Sequence, residues 1–162
     1  MAGTQSLATS LPIAHYYILA NPSIMTRLRK EPEENPLGTL EELDRLPYLD
    51  AVQMEAFRLD FGLTLIQQTD EDIFPDPWTF RPERWLGEVG SARRKYFLSF
   101  NKSLRRCLDI NLAKAELCMD LAVAALWDIY LYKTDDSDVT FLYDYFVDTQ
   151  ARLKCHQSQS SW

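Results

Sequence analysis

Residues 61 to 85 constrain the fold of this chain more than any other stretch. Gly62, Pro75, Pro77 and Pro82 punctuate it, and Phe74, Trp78, Phe80 and Trp85 lie among them. Each proline fixes φ and lacks a backbone donor, so neither a helical nor a sheet ladder runs through. The pattern predicts irregular coil pinned by aromatics, with no regular element before Arg84.

Helical patterns flank that coil. From Ala2, the residues Leu7, Leu11, Ala14 and Ile18 recur at helical spacing without a preceding cap, as in a helix entered at its middle. Pro12 falls inside this pattern and predicts a kink or an early break, at a cost of ~3 kcal/mol in an undistorted helix. Asn21 and Pro22 suit the N-cap and first position of a second helix, running through Met25 and Leu28 to about Lys30. Glu31 to Pro36 reads as a solvated linker. Thr39 and Glu42 have capping-box spacing and predict a short helix to Asp44. The next helix begins at Pro47 and runs to Leu59, with Leu49, Val52, Ala56 and Leu59 on its buried side and Glu55 and Arg58 near its edge.

Beyond the coil, a loop of mixed charge leads to Arg105-Arg106-Cys107 and a buried helix over 108–126, rich in Ala and Leu. Alternation in Asp128–Lys133 and Val139–Val147, separated by Thr134 to Asp138, predicts a terminal hairpin over 128–147. The expected fold class is mainly α with that small β hairpin, and the segment Gln157 to Trp162 is expected to fray.

Composition narrows the function. At 162 residues and 46% apolar the chain suits one domain with a core. Seventeen basic against 24 acidic residues give a net charge of −7, a field that opposes a phosphate backbone, so no nucleic-acid partner is expected. The run 108–126 carries Asp109, Lys114, Glu116 and Asp120, too many charges for a membrane span. Met1 to Ser10 lack the pattern of a secretory signal. Three cysteines with no close pair make neither a disulfide framework nor a zinc site, and a reducing compartment is expected.

Few residues suggest chemistry. Glu55 and Arg58 stand three apart on one helix, close enough to pair, and Arg84 is placed to join them. Taken alone such a pair is usually solvated and worth ~0.2–0.5 kcal/mol. Cys107 follows two arginines and precedes an apolar helix, a setting that lowers a thiol pKa. Cys118 lies eleven residues on, too distant to share a metal with Cys107, and reads as a small core residue. Cys155-His156 reads as an exposed pair in a polar tail, and His15 as packing or surface. Phosphate loops, serine nucleophile elbows and paired-histidine zinc motifs do not occur. A lone activated thiolate beside arginines suits an iron ligand in a heme site, where sulfur donates electron density to iron and arginine neutralises propionates.

In order, these pieces resemble the C-terminal third of a fungal cytochrome P450, a heme-thiolate monooxygenase, in degenerate and truncated form. Ala2-Gly3-Thr4-Gln5-Ser6 is similar to the oxygen-side segment of the central helix, whose end is then 1–20. Glu55-Ala56-Phe57-Arg58 resembles the Glu-x-x-Arg motif on helix 47–59. The run Ile73 to Trp85 resembles the meander (73–86), whose Arg84 completes a structural triad with Glu55 and Arg58. Phe100 to Asp109 resembles the heme-cysteine loop (97–109), with Cys107 on the iron-ligand position and Arg105 on a propionate position, followed by the family's next helix at 108–126.

What the resemblance implies is heme b held by the Cys107 thiolate, and insertion of one oxygen atom from dioxygen into a small organic substrate. Electrons would come from an NADPH-cytochrome P450 reductase on the cytoplasmic side of the endoplasmic reticulum. The membrane anchor is expected to be absent from this chain, which places it in the cytosol if it is the whole product.

Departures from the pattern point elsewhere. The family's oxygen-side acid and Thr are Gln5 and Ser6 here, so only a hydroxyl remains for the proton relay. Asn101, Ser103 and Asp109 stand at glycine positions of the cysteine loop, and Asp109 opposes formation of a thiolate. The stretch between Arg58 and Phe80 is short for the family. The alternative expectation is therefore a non-catalytic remnant or a helical interaction module without heme.

Overall fold

The computed structural model describes the backbone of residues 2–34, 39–60, 65–102, 106–139, 141–144 and 148–150, with side chains described only within 8–139 and not at residue 65. The fold is mainly α. Helices α1 (Ala2–Ala20), α2 (Pro22–Glu34), α3 (Leu40–Leu43) and α4 (Pro47–Leu59) come first, followed by one turn, α5 (Leu65–Gln68), before the coil. Next are α6 (Gly87–Arg93) and α7 (Ile110–Leu126).

Helix α4 is the hub. Pro47 occupies its first turn, and every residue from Tyr48 to Leu59 except Asp50 is buried. A helix buried all round needs neighbours all round, and α1, α2, α7 and the coil around 82–85 supply them. Ile18, Leu28, Leu49, Val52, Leu117 and Leu121 form the centre of the core they share.

Pro12 was expected to kink or break α1, and α2 to end before Pro32. Helix α1 runs unbroken through Pro12, and α2 continues through Pro32 to Glu34. Pro32 is buried, and Glu31, expected in a solvated linker, caps α4 instead. Its carboxylate accepts from Tyr48 N at 2.8 Å and Leu49 N at 2.9 Å, satisfying donors that an N-terminus leaves open. The capping box at α3 is present, with Thr39 N donating to Glu42 Oε2 at 2.8 Å.

The coil is also more regular than expected, for α5 and a 3-10 turn at Pro82–Trp85 lie within residues 61–85. The mixed-charge loop contains α6 and a further 3-10 turn, Arg94–Tyr96. Gly90 lets α6 press on that region, because a Cβ there would collide with the Trp85 backbone.

Helix α7 starts two residues later than predicted, and only one side of it is buried. Leu117, Cys118, Leu121 and Ala125 face the core, whereas Leu112, Met119, Val123 and Leu126 are exposed. The predicted hairpin is not established. Residues 128–133 form no strand, since Arg29 holds Trp127 O and the Asp128 carboxylate against α2, and Lys133 turns into the left-handed region at φ 50°. The described strand pairing is short, Phe141–Asp144 (β1) antiparallel to Asp148–Gln150 (β2), and lies beyond the expected turn.

Replacing Glu31 by Ala should lower stability by about 1 kcal/mol, read as an earlier urea midpoint. Gly90→Ala should cost about 1–3 kcal/mol by overpacking, with Gly90→Ser no better.

Candidate functional site

Glu55 sits fully buried at the centre of the coil's attachment to α4. Its Oε1 accepts from Arg58 Nη2 (3.0 Å), Arg84 Nε (2.9 Å) and the Arg81 backbone N (3.0 Å). Its Oε2 accepts from Arg58 Nε (2.9 Å) and the Trp85 indole Nε1 (2.8 Å). The solvated edge pair expected from spacing is therefore the most enclosed ionic cluster described, with Arg58 also fully buried and Arg84 6% exposed.

Burying a carboxylate is costly unless its lone pairs are filled, and here they are. The arginines spend their remaining donors on backbone carbonyls. Arg58 Nη1 donates to Gln68 O at 2.9 Å and its Nη2 to Pro77 O. Arg84 donates to Pro75 O at 3.1 Å and Thr79 O at 3.0 Å. Burial pushes the Arg84 guanidinium below its ordinary range, and Glu55 opposes that shift. Arg93 adds a second tie, donating to Ile73 O and Arg84 O at 2.9 Å each.

An aromatic series carries this anchorage toward Cys107. Trp85 meets Phe74 at 5.7 Å and Phe97 edge-on at 5.7 Å, and Phe97 meets Phe100 at 6.1 Å. Phe100 also packs edge-on against Phe57 of α4 at 4.7 Å. The Phe100 carbonyl then accepts from Cys107 N at 3.0 Å. Cys107 is exposed, three residues before α7.

Of the three expected glycine positions, Asn101 has φ 55°, the left-handed conformation that glycine favours and asparagine tolerates. Asp109 precedes α7 at φ −92° without a side-chain capping bond, and Ser103 lies outside the described residues. Arg105 lies outside them too. Gln5 and Ser6 are in the first turns of α1, with side chains outside the described residues. The structure thus brings Glu55, Arg58 and Arg84 together and connects them to the Cys107 loop.

Trp85, Arg81 and Arg93 were missed as partners. The indole had a signal, a large aromatic with one donor beside Arg84, while backbone donation by Arg81 and the carbonyl contacts of Arg93 had none. Cys118 is buried as expected, and burial pushes its thiol up to about 11. Among the described residues no cluster of three metal-ligating side chains occurs, and no helix is long and apolar enough to cross a membrane.

The cytochrome P450 family profile matches residues 63–126. A cytochrome P450 monooxygenase, oblB, of Emericella variicolor is 35% identical over 188 aligned positions, covering 90% of this chain and 34% of that protein. The cytochrome P450 monooxygenase TRI4 of Trichoderma arundinaceum is 32% identical, covering 85% and 34%. The chain belongs to the cytochrome P450 family. It spans about a third of the length of these P450 relatives. The 188 aligned positions exceed the 162 residues of this chain, so the relative carries residues that this P450 chain lacks. The retinoic-acid-bound cyanobacterial CYP120A1 shares the fold, with a TM-score of 0.74 at 22% identity over 93% of this chain and 41% of that one.

Glu55→Ala would leave two buried guanidiniums without their carboxylate, and should cost about 3–5 kcal/mol in chemical denaturation. Exposed Lys30→Ala, by comparison, should change stability by less than about 0.5 kcal/mol.

Proposed function

We propose that this chain supplies the cysteine side of a heme-thiolate monooxygenase site, with Cys107 as the axial iron ligand. One observation carries this reading: Cys107 is exposed, yet its loop is tied through Phe100, Phe97 and Trp85 to the buried Glu55 cluster. A metal ligand has to be held in place and still reachable, and this arrangement meets both needs.

Heme is the cofactor of the family, and the donors present suit it. Cys107 offers one soft sulfur, and Leu108 (96% exposed) and Leu112 (56% exposed) beside it offer apolar surface for a flat macrocycle. When bound, heme supplies the redox chemistry that inserts one oxygen atom of dioxygen into an organic substrate. The chain's own residues do the rest. Cys107 holds the ligand sulfur, Arg105 is assigned to a propionate by its place in the motif, and Ser6 supplies a hydroxyl on the oxygen side where Gln5 cannot titrate.

An NADPH-dependent reductase is the electron source this reading implies. Exposed Lys102 and Arg106 lie in the Cys107 loop, and Lys102 reaches the Lys95 carbonyl, giving local positive charge in a chain of net charge −7. A second reading, a helical interaction module, draws on the exposed apolar side of α7 at Leu112, Met119, Val123 and Leu126.

Reconstitution with hemin, followed by reduction and carbon monoxide, separates the two. The chain should show the red-shifted Soret band of thiolate ligation, and Cys107→Ala should lose it while keeping its helical circular dichroism. A band unchanged in Cys107→Ala overturns the ligand assignment. A folded chain that takes up no heme and gains mass with concentration favours the interaction module.

A further inference from the structure

His15 on α1 has an acceptor at each ring nitrogen. Nδ1 lies 3.0 Å from the Leu11 carbonyl oxygen, and Nε2 lies 3.4 Å from Asp120 Oδ2 on α7. A neutral imidazole carries one N–H, so in either tautomer it donates to one neighbour and turns a lone pair on the other. Only the imidazolium suits both. Asp120 Oδ2 is itself enclosed and makes no hydrogen bond among the described residues, although its side chain as a whole is 39% exposed.

We propose that His15 and Asp120 form a proton-dependent clamp between α1 and α7, closed when the imidazole is protonated. On α1 the neighbours are Tyr16 and Tyr17, and α7 presents Asp120 with exposed Glu116 one turn earlier. Asp135, Asp136 and Asp138, from the segment after α7, act on adjacent Tyr16. Helix α4 contributes Glu55 and Arg58, which neutralise each other, and α2 contributes Arg27 and Arg29, held by Glu83 and Asp128. Asp60, just after α4, is engaged with Thr9 and Ser10. Among the described residues no Lys or Arg pairs with Asp120.

The sign follows from linkage. The contact that only the imidazolium completes is present on the acid side and is lost as the ring gives up its proton. The consequence is positional, because α1 carries Gln5 and Ser6 near its start and α7 follows Cys107. A proton would tighten or slacken the pairing of these two helices without touching the thiol.

A double-mutant cycle in the full chain without heme tests this, using His15→Gln, Asp120→Asn and the double variant in urea denaturation. At about pH 5 each single substitution should lower the folding constant about two- to fivefold, with little further loss in the double variant. At about pH 8 the coupling should vanish. Equal coupling at both values, or none at the lower, overturns the clamp. Neither outcome bears on heme ligation, which the carbon monoxide spectrum reads separately.

Discussion

The fold depends on one buried carboxylate. Glu55 accepts five hydrogen bonds, from Arg58, Arg84, Trp85 and the Arg81 backbone, with none of its surface exposed. A coil broken by three prolines has no ladder to satisfy its carbonyls, and buried carbonyls left open would each cost free energy. Arg58 and Arg84 solve this from one side, reaching Gln68, Pro75, Pro77 and Thr79 with donors that Glu55 orients. The cluster carries one negative and two positive side chains, so its value lies less in net ion-pair energy than in the single arrangement it permits.

That arrangement extends outward through rings rather than charges. Arg58 lies over Phe74 at 5.4 Å, and the series Phe74, Trp85, Phe97, Phe100 returns to α4 at Phe57. Both ends of the aromatic path therefore rest on the same helix. A loop closed in this way resists displacement more than one attached at a single point, and Cys107 takes its backbone bond from the Phe100 carbonyl.

The helices near this core were legible from periodicity, and α4 matched from Pro47 to Leu59. What periodicity hid was burial: Glu55 and Arg58 sit at helical spacing that serves a solvated pair equally well, and only the motif order distinguished them. Neither Pro12 nor Pro32 breaks its helix, because packing against α4 and α7 outweighs a local penalty of about 3 kcal/mol. Alternation in 128–133 misled for the opposite reason. A strand needs a neighbour, and residues 128–133 pair with none, while Arg29 ties the start of the segment to α2.

Helix α7 shows why composition alone could not separate an exposed thiol from a buried one. Its sequence is rich in Ala and Leu throughout, yet α2, α3, α4 and α1 cover only one side of it. Cys118 falls on the covered side, where burial raises its thiol to about 11 and holds it as a protonated packing group. Cys107 precedes the first turn and stands outside the packed face, in contact with water and beside exposed Leu108. Two thiols eleven residues apart thus differ in exposure through their place in the packing. Of the pair, only Cys107 is open to solvent.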